Sequence, residues 1–394
     1  MPAAAPTITY LDYAATAPLR PEVAAAMAAV HASADGPLGN PTGSHPPAQR
    51  ARRLLEEARD EVAAFMGRDP AVIVFTSGGT EAANLAVLGV VEVALHKQGE
   101  AVVVSSAVEH PAVRESARAA ELAGADIREL PVDAAGVIDT DALARALSSR
   151  TTVVALMAAN NETGVVQPVA DVVDAVRSRA PQAFVFSDAV QAAPWLDLAA
   201  VAGGADMVSL SAHKLGGPVG VGALAVDQRV VLGPRQHGGG QERERRSGTQ
   251  DVAGAVGLAT ALRLVSGDRR AAAARVATLR DRLADGLVGR VEGVHRTVPP
   301  GVDVLPGHLH VCVAGVDREE LLVALGREGI CVSGGSSCAS GALEPSHVLA
   351  AMGVDPGLAA GALRFTLGTG TTDADVDRAL SVVSGAVAAL RRIV

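Results

Sequence analysis

Short, continuous apolar runs recur along the chain, with helical patterns between them. Between residues 71 and 226 these runs read AVIVFTS, AVVVSS, TVVALM, AFVFSD, MVSLSA and GALAV. Runs without polar alternation are typical of strands that are buried on both faces of a sheet. Residues 80–98 and 110–124, which lie between runs, have the pattern of helices. This order predicts an α/β domain with a mostly parallel sheet, over about residues 15–255.

The remaining residues predict a second, smaller domain. A long Ala-, Arg- and Leu-rich helix is expected from about residue 250 to 289, followed by strand-like HLHVCVAG, ICVSGG and LRFTLG and a last helix. We expect residues 1–14 and 256–394 to form an α+β domain, with a loop at about 331–345. A chain of 394 residues suits two domains better than one simple core.

Composition narrows the class of protein. Apolar residues make up 49% of the chain, which is enough for a sizeable core, and no apolar run is long enough to cross a bilayer. The start has no basic and apolar segments of the kind that a signal peptide needs, and there are only three cysteines. We therefore expect a cytoplasmic location without a disulfide framework. The net charge of −9 argues against a nucleic-acid-binding surface.

Lysine is scarce in this chain. Of the 34 basic residues only two are lysines, Lys97 and Lys214. Lys97 lies at an expected helix end, where a cation suits the helix dipole and Gly99 stops the helix, so it needs no functional explanation. Lys214, in SAHKLGG, has no such explanation. A buried lysine can lose its proton and attach to a carbonyl group, which arginine cannot do.

Asp188 ends the strand that precedes the Lys214 strand. A carboxylate at the carboxyl end of a central strand is often an active-site group, although an aspartate there caps a helix about as often. An Asp and a Lys at the ends of neighbouring strands suit pyridoxal phosphate, since the lysine binds the cofactor covalently and the carboxylate keeps its ring nitrogen protonated. The pair therefore predicts a pyridoxal phosphate site.

A turn of small residues, Gly78, Gly79 and Thr80, lies between a strand and a helix. The free N–H groups and the dipole at a helix start favour an anion, and glycine allows close approach, so the turn is a candidate phosphate site. A plain helix cap would explain the same residues, and alone the signal is weak.

Other polar groups follow further strands, each with an ordinary explanation beside the functional one. His110 is either a solvated helix-start residue or a ring stacked on a cofactor, and Asn160 and Asn161 could simply form a turn. Arg364 lies in a predicted strand and needs a carboxylate partner if it is buried. The segment HGGGQERERRSGTQ is expected to be an exposed loop and is a candidate subunit contact.

Taken together, these motifs resemble the cysteine desulfurases of the pyridoxal-phosphate-dependent class V aminotransferase family. The resemblance covers nearly the whole chain and depends on segments in family order, namely YLDYAATAP, GNPTGSH, FTSGGTEAANLA, EHPAV, NNETGVVQP, SDAVQ, SAHKLGGPVGVGAL, HGGGQERERRSGT, SSCASGALEPSHVL and LRFTLG. It implies the fold type I transferase architecture, with a seven-stranded sheet in the large domain.

The resemblance also implies roles for individual residues. Lys214 would carry the cofactor, Asp188 would pair with its ring nitrogen and His110 would stack on the ring and move protons. Gln191 and Asn161 would lie near the ring hydroxyl, and Arg364 would hold the substrate carboxylate. The phosphate would be bound by Gly79, Thr80, Ser211, His213 and, from the other subunit of a homodimer, Thr249. No role is implied for a metal.

The third part of the resemblance concerns Cys338, which lies among Gly, Ser and Ala. Its thiolate would attack the sulfur of L-cysteine, giving L-alanine and an enzyme persulfide for a protein acceptor such as an iron–sulfur scaffold or a thiolation protein. A Gly- and Ser-rich segment suits this role because it rearranges at little cost. Cys312 and Cys331 lie in strand-like settings and are expected to act as small hydrophobic residues.

Some residues depart from the family pattern, and other activities stay open. Ser337 and Ala339 stand where the family usually has Ala and then Thr or Ser, and Ala212 replaces a common Gly. Related enzymes often have a tail after the last helix that helps dock an iron–sulfur scaffold, so the acceptor is open. Selenocysteine lyase or another C–S lyase of the same fold, or a non-catalytic cofactor-binding partner protein, are the alternatives.

Overall fold

The computed structural model describes residues 7–32, 36–335 and 346–392, and Cys338 therefore lies outside the described residues. The strands are β1 (Thr9–Tyr10), β2 (Ile73–Thr76), β3 (Val102–Ser106), β4 (Asp126–Leu130), β5 (Thr151–Ala155), β6 (Phe184–Asp188), β7 (Met207–Ser211), β8 (Gly222–Val226), β9 (Val294–Arg296), β10 (His308–Val313), β11 (Ile330–Cys331) and β12 (Ala362–Thr366). The α-helices are α1 (Pro21–His31), α2 (Pro46–Met66), α3 (Gly79–Gln98), α4 (Pro111–Leu122), α5 (Thr140–Ala146), α6 (Val169–Arg179), α7 (Leu198–Val201), α8 (Val252–Arg290), α9 (Arg318–Arg327), α10 (His347–Ala351), α11 (Pro356–Ala359) and α12 (Asp373–Leu390).

The central sheet has seven strands in the order β2-β8-β7-β6-β5-β3-β4. Neighbours from β7 to β4 are parallel, whereas β8 runs antiparallel to both β2 and β7. The six apolar runs all form strands of this sheet, as predicted. The seventh, β4, was missed because its sequence DIREL is polar, which an edge strand paired with β3 can tolerate.

The sheet is buried on both faces, which explains the continuous apolar runs. Neighbouring residues of one strand face opposite layers. Val153 packs with residues of α3 and α4 on one side, and Val154 packs with residues of α2, α6 and the start of α8 on the other. The prediction of doubly covered strands is therefore confirmed.

The long helix α8 continues from the central sheet to a smaller C-terminal α+β domain. There, the antiparallel sheet β12-β10-β9 packs against α9, α12 and the second half of α8. The N-terminal segment joins this part of the chain, because β1 pairs in parallel with β11 and Asp12 bridges to Thr366. This pairing supports our proposal that residues 1–14 belong with residues 256–394, and that residues 15–255 form the large domain.

No helix within the described ranges is long and apolar enough to cross a membrane.

Candidate active site

A cavity of about 730 Å³ opens at the carboxyl ends of the central strands. Its wall includes residues of the central sheet region and, from the C-terminal part of the chain, Gly335, His347 and Arg364. The cavity brings together most of the predicted site residues. These are Gly79, Thr80, His110, Asn161, Asp188, Gln191, Ser211, His213, Lys214 and Arg364.

Lys214 lies on a single 3₁₀ turn directly after β7. Its Nζ donates hydrogen bonds to the carbonyl oxygens of Ala14 and Ala15, at 2.5 and 2.7 Å. These carbonyls belong to the segment YAATAP, so the N-terminal region fixes the amino group at the cavity wall. The other lysine, Lys97, is exposed at the end of α3, and Gly99 caps that helix at φ 75°, as predicted.

Asp188 is the last residue of β6 and lies beside β7 at the position of Ser209. Its Oδ1 accepts hydrogen bonds from the backbone N–H of Val190, at 3.0 Å, and from Oγ of Ser209, at 3.1 Å. Among the described residues no hydrogen bond goes to Oδ2, which leaves that oxygen for a ligand in the cavity. The helix-cap explanation does not hold, because the next helix, α7, begins at Leu198.

His110 precedes α4, where its Nδ1 accepts a hydrogen bond of 3.1 Å from the N–H of Ala112. A neutral ring in this position therefore carries its proton on Nε2. Burial lowers the pKa of His110; the Asp188 carboxylate opposes this shift and the Lys214 cation adds to it. The ring is thus neutral near pH 7. Its Nδ1 accepts from the first turn of α4, and its Nε2 carries the proton.

The phosphate candidates surround the start of α3. An ideal Cβ at Gly79 would lie 2.7 Å from Cγ2 of Val190, so this position has room only for glycine. Ser211 and His213 line the same cavity. Burial, with the nearby Lys214 cation, lowers the pKa of His213 to about 4. His213 can therefore bind a phosphate group as a neutral hydrogen-bond donor rather than as a positive charge.

Arg364 is 2% exposed and has the carboxylate partner that its sequence setting demanded. Its Nη2 lies 2.8 Å from Oδ1 of Asp12, and its Nη1 donates to the carbonyl of Asn161 at 2.9 Å. Asn160, in contrast, makes the turn, because its Oδ1 accepts from the N–H groups of Glu162 and Thr163. Asn160 is therefore structural, and Asn161 faces the cavity.

Three residues near the site were missed from sequence, of which His347 and Glu162 line the cavity and Glu109 precedes His110 in the chain. Glu109 is fully buried and accepts hydrogen bonds at Oε1 from Ser106 and Met157, and burial raises its pKa to about 8. Nε2 of His347 lies 3.0 Å from the Glu109 carbonyl, which makes that nitrogen the donor, and burial lowers the pKa of His347 to about 4. Glu162 is the third. The sequence signal for each residue was weak, because each is only the neighbour of a predicted motif: Glu109 precedes His110, Glu162 follows Asn161 and His347 follows the run LEPS at 343–346.

One predicted residue, Thr249, is exposed and is not among the described residues that line this cavity. Cys338 lies outside the described residues. The other two cysteines are free: Cys312 is buried among apolar side chains, as expected, while Cys331 is half-buried.

The expectation for the segment HGGGQERERRSGTQ was partly wrong, because Glu242 is 4% exposed. Its carboxylate forms two hydrogen bonds with the guanidinium of Arg59, at 2.7 and 2.9 Å, and accepts another from the N–H of Phe75. A buried charge is tolerated here because it is fully paired.

The cavity fits pyridoxal phosphate by the chemistry of its donors. It presents a lysine amine, an aspartate oxygen that accepts no hydrogen bond from the described residues, and the N-terminal start of helix α3. Hydroxyl and ring donors beside that helix suit the phosphate. Among residues 7–32, 36–335 and 346–392 no group of three or more His, Cys, Asp or Glu side chains could hold a metal ion.

Comparison with known proteins gives a consistent result. The sequence profile described as "Aminotransferase class-V" matches residues 9–379. An "IscS-like cysteine desulfurase" of Mycobacterium tuberculosis is 42% identical over 393 residues, which is 98% of each chain. A "Cysteine desulfurase IscS" of Dictyoglomus turgidum is 38% identical, over 98% of this chain and 95% of that one. A solved "NifS-like protein" matches with a TM-score of 0.90 at 33% identity, over 98% of this chain and all of the other.

Proposed function

Because the chain belongs to the class V aminotransferase family, and within it to the cysteine desulfurases, we propose that its cavity passes the sulfur of L-cysteine to Cys338. The enzyme is pyridoxal-phosphate-dependent, as is its family, and it releases L-alanine. The observation that supports the residue assignment is that Lys214, Asp188 and Arg364 line one cavity, although they come from separate parts of the sequence.

Four residues would contact the cofactor ring. Lys214 would hold the cofactor covalently, Asp188 would offer Oδ2 to the ring nitrogen and His110 would cover the ring. When bound, pyridoxal phosphate supplies an electron sink that weakens the Cβ–S bond of cysteine. The lowered pKa of His110 keeps its ring neutral near pH 7, and because Nδ1 accepts from Ala112, the ring offers the Nε2 N–H as a hydrogen-bond donor. Gln191 is held by its bond to the Ala14 carbonyl, at 2.9 Å, and would orient the ring hydroxyl.

Two further residues would prepare the sulfur transfer. Arg364 would bind the cysteine carboxylate and so aim the side chain of the substrate, with Asn161 beside it. The thiolate of Cys338 would then attack the substrate sulfur, so that an S–S bond forms as the Cβ–S bond breaks. The product on the enzyme is a persulfide, and the carbon skeleton takes up a proton to leave as alanine.

The proposal also covers the oligomeric state, the sulfur acceptor and the cellular location of the enzyme. We infer a homodimer in which the exposed Thr249 of one subunit reaches the phosphate of the other, since it lies away from its own cavity. The persulfide would pass to a protein acceptor, either an iron–sulfur scaffold or a thiolation protein. A reducing cytoplasm suits such chemistry, because it keeps Cys338 a thiol between turnovers.

The proposal is tested by mass spectrometry of enzyme incubated with L-cysteine in the absence of reductant. The peptide that contains Cys338 should gain the mass of one sulfur atom. Lys214→Ala should lack both this gain and the cofactor absorbance, whereas the matched control Lys97→Ala should keep both. A cofactor band that survives in Lys214→Ala would overturn the assignment of the lysine.

A further inference from the structure

The Glu162 carboxylate hydrogen-bonds one of the two residues that flank the segment 336–345 and lies beside the other. On one side, Oγ of Ser346 donates a hydrogen bond of 2.6 Å to Oε2 of Glu162. On the other, an ideal Cβ at Gly335 would lie 2.8 Å from the same oxygen. Gly335 is the residue before the segment and Ser346 the residue after it, so one oxygen atom lies against both chain ends.

Each chain end is also tied to the site. Ser346 caps α10, since its Oγ accepts a hydrogen bond of 3.2 Å from the N–H of Leu349. The carbonyl of Gly335 accepts from Nη1 of Arg364, at 3.3 Å, and Gly335 has φ +98°, where a side chain would be strained. Glu162, the residue after Asn161, therefore links the start of α10 and the backbone near Gly335 to the wall of the cavity.

Glu162 is a costly residue to place here unless its contacts matter. It is 2% exposed, and burial raises its pKa, with the Ser346 hydrogen bond and the Arg364 and Arg318 cations opposing the shift. A buried carboxyl group needs such partners to offset its desolvation.

We infer that Glu162 is a positioning residue, which fixes both chain ends of the segment carrying Cys338 beside Asn161 and Arg364. The inference rests on the role proposed for Cys338. Removing the carboxyl group releases the Ser346 hydroxyl and opens space at Gly335. The two residues that flank the segment are then held less firmly. Binding of cofactor and cysteine does not need this contact, but delivery of the thiolate does.

The test compares Glu162→Ala, Glu162→Gln and a matched control, Asp355→Ala. Asp355 caps the neighbouring helix α11 by accepting from the N–H of Leu358, so its loss removes a cap without touching Glu162. In Glu162→Ala, persulfide formation on Cys338 and kcat should fall about tenfold to hundredfold, as expected for loss of a hydrogen bond to a charged group. The cofactor spectrum and the spectral Kd for L-cysteine should stay unchanged.

The conservative variant separates positioning from general damage. Glu162→Gln keeps an oxygen that accepts from Ser346 and should stay within about threefold of the wild type, since a neutral hydrogen bond is weaker but present. Wild-type kcat in Glu162→Ala, or a weakened Kd for L-cysteine with kcat unchanged, would overturn the inference. So would an equal loss in Asp355→Ala.

Hydrogen exchange distinguishes failure of this inference from failure of the proposed function. The amide of Leu349 should exchange faster in Glu162→Ala than in the wild type or in Glu162→Gln, whatever Cys338 does. If exchange changes as expected but Cys338→Ala keeps full activity, the anchor exists and the role of Cys338 is wrong. If exchange at α10 does not change, the anchor itself is wrong.

Discussion

Arg364 and Asp12 form an ion pair of 2.8 Å across 352 residues of sequence. The pair joins β12 to the segment after β1, and the side chain of Arg364 is 2% exposed. A second guanidinium nitrogen holds the Asn161 carbonyl. The protein thus orients the guanidinium from two sides before a substrate carboxylate arrives, which lowers the cost of binding it.

Replacing Arg364 with lysine should weaken cysteine binding. Lysine cannot present two N–H groups in a fixed plane, so it cannot hold Asp12, Asn161 and a carboxylate together. We expect the KM for L-cysteine to rise about 10- to 100-fold, as for a lost charge-assisted hydrogen bond. Steady-state kinetics measure this change. Arg280→Lys is the control, since Arg280 is also largely buried and ion-paired but does not line the active-site cavity. An unchanged KM would remove Arg364 from the substrate site.

Glu109 should make the fold less stable as pH rises. Burial raises its pKa from the ordinary 4.5 to about 8, so the folded protein keeps a proton that the unfolded chain has lost in this window. The free energy of unfolding that this group contributes is present below pH 4.5 and is lost as pH rises to about 8.

The variant Glu109→Gln cannot ionise and should therefore lose less stability over the same pH range. Thermal unfolding of wild type, Glu109→Gln and the exposed control Glu121→Gln on α4 measures the difference. Glu121→Gln should follow the wild type. If Glu109→Gln follows it as well, Glu109 is ionised in the folded protein, and the buried acid has been assigned wrongly.

The Arg59–Glu242 pair should be strongly coupled. Burial alone would raise the pKa of Glu242, but its hydrogen bond and charge pairing with Arg59 hold that pKa below the ordinary value. Glu242→Ala leaves Arg59 buried and unpaired, and should reduce the free energy of unfolding by about 3–5 kcal/mol. The exposed Glu244→Ala, in the same loop, should change little.

A double variant, Arg59→Met with Glu242→Leu, completes that experiment. It removes both charges, so urea denaturation should show a smaller loss in the free energy of unfolding than the sum of the losses in the single variants Arg59→Met and Glu242→Leu. Additive losses would mean that the two side chains act independently, contrary to the observed geometry.

The sequence predicted what local chemistry determines and missed what long-range pairing determines. Continuous apolar runs identify strands buried on both faces, whereas polar β4 gives no such signal because its edge position is set by β3. Arg364 predicted that a carboxylate was needed, but nothing local points to Asp12. Glu242 was misjudged for the same reason, since Arg59 makes its burial possible. Lys214 was recognisable because the chain has only two lysines among its 34 basic residues.

The most direct measurement is alanine and sulfide release from L-cysteine with a reductant, by wild type, Cys338→Ala and the control Cys331→Ala. Wild type and Cys331→Ala should release both products in equal amounts. Cys338→Ala should bind the cofactor and make neither product above background. Full activity in Cys338→Ala would contradict the account and favour a lyase that needs no enzyme persulfide.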